Sequence, residues 1–176
     1  MSNIVEFYRG EMPNQAGCFL YDMWSFSPGE YEMDHDYVQW MFPSNEMSGL
    51  NCDAPVMTME ESAIFQTDDH LKDCVRYSFY KILNFFGFRC IESAGAPIIE
   101  PLELEESRNW LKQFNHNMLR VTRILKCLRL TGLTEYAIAF YDALRPYKET
   151  LSSNTWGFWT RAIMDPLWHE EQPFLL

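Results

Sequence analysis

Residues 116–129 read HNMLRVTRILKCLR, so His116 and Asn117 are followed by Arg120, Arg123, Lys126 and Arg129 with no acid among them. A guanidinium presents a planar fork of N–H donors that fits carboxylates, phosphates and carbonyl oxygens. Beside an imidazole and a carboxamide, such forks could hold a small anion or an acidic peptide. A second polar and aromatic stretch, HDYVQWMFP at 35–43, offers His35, Tyr37, Gln39 and Trp40. Aromatic walls carrying a few hydrogen-bonding groups are the usual lining of a peptide groove. The candidate ligand- or partner-binding residues are therefore His35, Tyr37, Gln39, Trp40, His116, Asn117, Arg120 and Arg123.

Helical spacing decides which of the cations could matter. With His116 at zero and about 100 degrees per residue, Met118, Val121, Ile124, Leu125 and Leu128 fall between roughly 80 and 200 degrees, the core arc. Arg120, Arg123 and Cys127 gather near His116 at the edge of that arc. Lys126 and Arg129 fall on the remaining side and read as solvated charges. The spacing predicts that Arg120 and Arg123 lie at a seam where another segment packs across. Partly buried there, they need carboxylates, aromatic faces or a bound anion. The HDYVQW segment is expected to form the other side of the seam, with Asp34 or Asp36 pairing with Arg120 or Arg123. The plainest role for the two arginines is to hold their helix to acidic neighbours.

Other chemistries lack a signature. His35, His70, His116 and His169 are scattered, and although His70 and Cys74 stand four apart on one helix face, no zinc spacing is completed. No local pattern pairs a cysteine with a histidine for nucleophilic catalysis. The stretches GLTEYA and SAGAPI match neither a phosphate loop nor a dinucleotide fingerprint. Glu103, Glu105 and Glu106 read as the acidic start of a helix. The expectation is a non-enzymatic protein with no metal and no cofactor.

Charge narrows the partners. The chain carries a net −11, distributed unevenly. Residues 1–53 hold nine acids against Arg9 alone, whereas residues 115–176 hold seven bases and six acids. An acidic chain repels nucleic acid and anionic membrane unless a basic face is concentrated, so no nucleic acid is expected. No apolar run reaches the length of a membrane span. Five cysteines without close pairing, after an opening MSNIVEFYRG that has no basic start or apolar run, point to reduced thiols and a cytoplasmic setting.

The elements that position the candidates read as helices. The first 33 residues, broken by Gly10, Pro13, Gly17, Pro28 and Gly29, read as loop-rich; GCFLYDMW is either a short strand or a helical turn. A short helix follows Asp34 and stops at Pro43. Thr58 with Glu61 forms a capping box before a helix ending near Thr67. Asp69 is expected to cap the clearest helix, whose stripe Leu71, Cys74, Val75, Ser78, Phe79, Ile82, Leu83 and Phe86 runs to Gly87. Residues 88–107 read as a loop with a short extended piece. Helical character resumes over 103–114, with Leu104, Arg108, Leu111 and Phe114 on one side. Two more helices are expected, capped by Thr134 and Ser153. The prediction is one all-α domain over 1–176, an irregular bundle of about six helices with a loop-rich N-terminal segment.

Beyond this, the chain resembles the conserved domain of the opioid growth factor receptor family. The motifs that carry the resemblance are HDYVQWMFPSNE at 35–46, MTMEESAIF at 57–65, LKDCVRYSFYKILNFFGFR at 71–89 and HNMLRVTRILKCLRLTGL at 116–133, with FYRG and DMWSF near the start. The family pattern falls on His35, Tyr37, Gln39, Trp40, Phe42 and Pro43, and again on His116, Asn117, Leu119, Arg120, Thr122, Arg123, Ile124 and Leu125. The chain departs from it at Cys52, where a Trp is usual, and at Asp53, where a His is usual. The resemblance implies a mostly helical domain unrelated to the seven-helix opioid receptors. In animal members it sits in a receptor for an enkephalin peptide that acts at the nucleus. It implies a binding module for a peptide or protein partner, with a nuclear location as one possibility. Two other classes stay open: a small-anion or nucleotide-related site built from His116, Arg120 and Arg123, and a structural interaction subunit.

Overall fold

The computed structural model describes residues 3–48, 51, 54–103, 105–112 and 115–168. Leu104, Phe114, His169 and the departures at Cys52 and Asp53 lie outside the described residues. The chain is mainly helical, as expected. The N-terminal part is less loop-rich than its glycines and prolines imply. It holds three short helices, α1 (Ile4–Tyr8), α2 (Leu20–Met23) and α3 (Pro28–Met33), so GCFLYDMW contributes a helical turn. Ser27 starts α3: its Oγ accepts the Glu30 amide and Glu30 returns a bond to the Ser27 amide, with Pro28 at the first helical position. The short helix α4 spans Tyr37–Met41. The Asp34 carboxylate accepts the amides of Asp36 and Tyr37 at its start, 2.7 and 3.2 Å away.

Helix α5 (Met59–Thr67) begins at the expected Thr58–Glu61 box. Helix α6 (Asp69–Phe85) is capped one residue earlier than predicted. Asp68, not Asp69, accepts the amides of His70 and Leu71, while Asp69 pairs with Lys72. Only the residue before the first turn has the extended backbone that aims its carboxylate at those amides. The predicted α6 stripe is buried from Leu71 to Leu83. Its one hydroxyl, on Ser78, donates to the Cys74 carbonyl and accepts the Trp24 indole N–H. At the end of α6, Gly87 has φ 81°. A Cβ there would stand 2.2 Å from Ser107 Oγ. Glycine is required both for the backbone angle and for this close approach.

Residues 88–101 depart from the all-helical expectation. They form an antiparallel hairpin, β1 (Phe88–Ser93) and β2 (Ala96–Pro101), with Phe88 opposite Pro101 and Ser93 opposite Ala96. The two turn residues, Ala94 and Gly95, both have positive φ, the geometry that suits a two-residue hairpin turn. An alanine in the first of those positions hides the turn from sequence. The hairpin lies on α6 and on α8 (Thr134–Leu144). Glu92 fastens it there, accepting the hydroxyls of Tyr80 and Tyr136 at 2.7 and 2.6 Å. These two donors hold the Glu92 carboxyl below its ordinary pKa. The following segment, Glu105–Lys112, is a 3₁₀ helix, and Arg108 donates to the carbonyls of Gly87 and Leu102.

Helix α7 (Asn117–Leu130) packs against α5, α8 and α9 (Ser153–Met164). Ser62 and Gln66 of α5 donate to the Leu130 carbonyl, satisfying one of the oxygens left open at the end of α7. Thr134 does not cap α8; it is the first helical residue, after Leu133. Ser152, not Ser153, caps α9, accepting the Thr155 amide. A 3₁₀ turn, Arg145–Thr150, joins α8 to α9. Two side chains tie α9 to α7. The buried Trp159 indole donates to the Met118 carbonyl at 3.0 Å, and Arg129 donates to the carbonyls of Ala162 and Asp165 at 2.7 and 3.0 Å. Arg129 is therefore not the solvated charge its helical position implies. A cation satisfies the open carbonyls at the negative end of α9. Lys126 stays at the surface, paired with Glu46.

Two substitutions check this packing. Phe79 is fully buried against Phe140 and Tyr136, so Phe79→Ala should lower unfolding free energy by about 3–5 kcal/mol in urea titrations. Asp68→Ala should lower the unfolding midpoint as a lost cap, with Asp69→Ala near neutral. Equal losses would mean that Asp68 is not the cap.

A cleft between the 34–51 segment and helix α7

The seam predicted from sequence exists, and Arg120 lies inside it. Its side chain is reached from three sides, and the residue is 4% exposed. One terminal nitrogen donates to the Tyr31 carbonyl at 2.7 Å and to Asn117 Oδ1 at 3.0 Å. The other donates to the Asp34 carbonyl at 2.8 Å and lies 3.3 Å from His35 Nδ1. The guanidinium also sits over the Tyr37 ring, 5.3 Å from its centroid. The partners differ from those expected. Neither Asp34 nor Asp36 offers its carboxylate to an arginine. Asp34 spends its carboxylate on the start of α4 and gives Arg120 only its backbone oxygen, while Asp36 accepts from Asn51. The physical reason is the end of α3, where carbonyls without helical partners and the negative end of the helix dipole face Arg120.

Arg123, one turn on, is less saturated. Among the described residues it donates only to the Phe42 carbonyl, at 3.3 Å, and no carboxylate lies within ion-pair distance. Burial lowers its pKa, against the opposing pull of Cys127 and Glu46. Several of its donors therefore remain open. The rings of His35 and His116 meet edge to face with centroids 5.1 Å apart. Glu32 Oε1 is 3.3 Å from His116 Nε2, within ion-pair distance, yet among the described residues that nitrogen has no hydrogen bond. Burial and the Arg120 charge lower the His116 pKa, with Glu32 opposing them and His35 adding to them. Gln39 Nε2 donates to Ser48 Oγ, and Gln39 Oε1 is buried with no partner among the described residues.

These groups surround one cleft of about 440 Å³. Among the predicted site residues, His35, Gln39, His116, Arg120 and Arg123 line it. Tyr37, Trp40 and Asn117 do not. Tyr37 is fully buried beneath Arg120, and its hydroxyl has no partner among the described residues. Trp40 packs on Phe7 in the core, with ring centroids 5.0 Å apart. Asn117 holds Arg120 from behind and lines a neighbouring polar hollow with Glu32, Asn115 and Trp110. Asp36, Val38, Ser48, Asn51 and Leu119, none of them among the candidate binding residues, complete the lining. Asp36 and Val38 stand inside the HDYVQW motif. Leu119 has a signal too, an apolar residue outside the core arc of α7, and it is 54% exposed. Ser48 and Asn51 carry none.

The cleft thus combines open cationic donors, an unpaired amide oxygen and an apolar step formed by Val38 and Leu119. That set can hydrogen-bond both faces of a peptide group and accept a carboxylate. Among the described residues, no group of three or more His, Cys, Asp or Glu could hold a metal ion, and no helix is long and apolar enough to cross a membrane.

Residues 1–169 match the family model described as the opioid growth factor receptor conserved region. The human opioid growth factor receptor is 32% identical over 142 residues, covering 75% of this chain and 20% of that protein. The rat opioid growth factor receptor-like protein 1 is 31% identical over 143 residues, covering 77% of this chain and 30% of that protein. The Xenopus tropicalis opioid growth factor receptor-like protein 1 is 29% identical over 136 residues, covering 75% of this chain and 26% of that protein. The chain thus spans less than a third of these relatives. No solved structure matches it. The chain belongs to the opioid growth factor receptor conserved-region family.

Proposed function

We propose that this chain is a helical, non-enzymatic binding module whose cleft between residues 34–51 and α7 receives a segment of a peptide or protein partner. The observation that carries the reading is the set of unmet polar groups in one cleft: Gln39 Oε1, His116 Nε2 and the open donors of Arg123. Leaving a buried oxygen such as Gln39 Oε1 unpaired costs about 1–3 kcal/mol, and a peptide backbone N–H would supply the missing partner, while a carboxylate or carbonyl would take up the remaining Arg123 donors. Relatives named as receptors support a binding role. The free thiols of Cys18, Cys74, Cys90 and Cys127 fit a cytoplasmic setting. A small-anion site has Arg123 in its favour, but the apolar step at Val38 and Leu119 gives a bare anion nothing to fill.

The test is an array of short peptides probed with the full chain and with Gln39→Leu and Arg123→Gln. Each variant should lose about tenfold or more in affinity for the selected peptides, with little change in unfolding midpoint. Unchanged binding by both variants overturns the cleft as the binding site. By contrast, Arg120→Met should act on the fold, stranding the Tyr31 and Asp34 carbonyls at a cost of about 1–3 kcal/mol each.

His116 adds a pH signature. Its folded-state pKa lies below the unfolded value, so the unfolded chain takes up protons first. Its contribution to stability is complete above about pH 6.5 and falls as the pH drops through that value. His116→Gln should reduce the loss of unfolding midpoint between about pH 6.5 and 5. An identical pH profile in the variant would show that His116 titrates as it does unfolded.

A further inference from the structure

The cleft does not end at Leu119. That side chain also lines a second hollow of about 420 Å³ between α7 and α9, floored by Met118, Trp159 and Phe158. Thr122 and Phe158 in turn line a third, of about 310 Å³, which runs to Arg129 and Leu167. The shared residues join the three into one groove along the outer face of α7, about 20 Å long from His116 to Arg129. Its centre is apolar, with Leu119 54% and Phe158 49% exposed. Its flanks are basic in an otherwise acidic chain: the groove residues include five cations and three carboxylates. Lys126 is matched by Glu46, and Arg129 by the end of α9. Of the five cations, only Lys126 has a carboxylate within ion-pair distance among the described residues; Arg120 and Arg129 are met by backbone carbonyls, and the two that remain stand on either side of the apolar centre. These are Arg123 on α7 and Arg161 on α9, the latter lying over the Phe158 ring at 4.7 Å.

We infer that the partner segment is acidic and amphipathic, laying apolar side chains on Leu119 and Phe158 and carboxylates on Arg123 and Arg161 along the α7–α9 groove. The inference rests on the cleft reading above and deepens it, because it names the ligand chemistry and extends the contact surface onto α9. Charge selects the occupant. A basic segment would meet Arg123, Arg161 and Arg129, and a neutral one would leave Arg123 partly buried without a counter-charge. A second copy of this acidic chain would have to bring one of its own acidic faces to the groove.

Three matched, fluorescently labelled peptides of about twelve residues test this by anisotropy, with the same Leu and Phe positions and Glu, Gln or Lys between them. The Glu peptide should bind the full chain about tenfold or more tightly than the Gln and Lys peptides, and should weaken as salt rises. Arg161→Glu and Phe158→Ser lie outside the His–Arg cleft and on a solvated face of α9. Each should weaken the Glu peptide about tenfold with an unchanged unfolding midpoint. Equal binding of the three peptides, no binding of the Glu peptide, or indifference to Arg161→Glu overturns the inference. If array-selected peptides respond to Gln39→Leu but not to Arg161→Glu, the cleft stands and the extended groove falls. A concentration-dependent dimer that Phe158→Ser abolishes would make a second copy the occupant and would likewise overturn it.

Discussion

The architecture turns on one buried cation. Arg120 projects from α7 into the end of α3 and the strand of chain before α4, where carbonyl oxygens converge on it. Stripping a guanidinium of water is expensive, and only near-complete hydrogen bonding offsets it. Here two carbonyls, the Asn117 amide and His35 share its terminal nitrogens, and Tyr37 offers its ring face. The consequence is geometric. The path of residues 31–37 is set by where α7 delivers that charge, and the cleft exists because both of its walls are referenced to the same side chain.

Arg120 and Arg123 show how position separates support from recognition. They are one turn apart and chemically identical. Arg120 is saturated from within and has little left for a ligand. Arg123 is half-satisfied, faces the cleft and keeps donors to give. His116 Nε2 and the lone oxygen of Gln39 extend the same contrast, for these are polar atoms desolvated by the fold without a hydrogen bond among the described residues. Such mismatches are uncommon in packed interiors, and their concentration beside an exposed leucine is what distinguishes this cleft from the other hollows of the surface.

Much of this was legible in the sequence, and the failures have physical causes. The α6 stripe, the Thr58–Glu61 box and the meeting of the two histidine-led motifs follow from spacing and side-chain chemistry. The partner of Arg120 did not. Sequence displays carboxylates but not free backbone carbonyls, so Asp34 looked like a counter-ion when only its main-chain oxygen serves. Arg129 was misread for the same reason. Trp40 and Tyr37 looked like groove walls because aromatic residues advertise both burial and recognition, and here burial won. The hairpin escaped because Ala94 occupies a turn position usually marked by Asn or Gly. Caps were displaced by one residue at α6 and α9, since adjacent polar residues compete and only backbone angle selects between them, whereas α8 starts after Leu133 with no side-chain cap.

The bonds from Trp159 to Met118 and from Arg129 to Ala162 lie near opposite ends of α7. Two separated pins on one shaft forbid sliding, because translation of α9 by even one residue's rise would break both at once. The spacing between the two helices then behaves as a fixed gauge instead of a jaw. Whatever rests against that surface must arrive with matching dimensions, and selectivity would come from shape already present before contact.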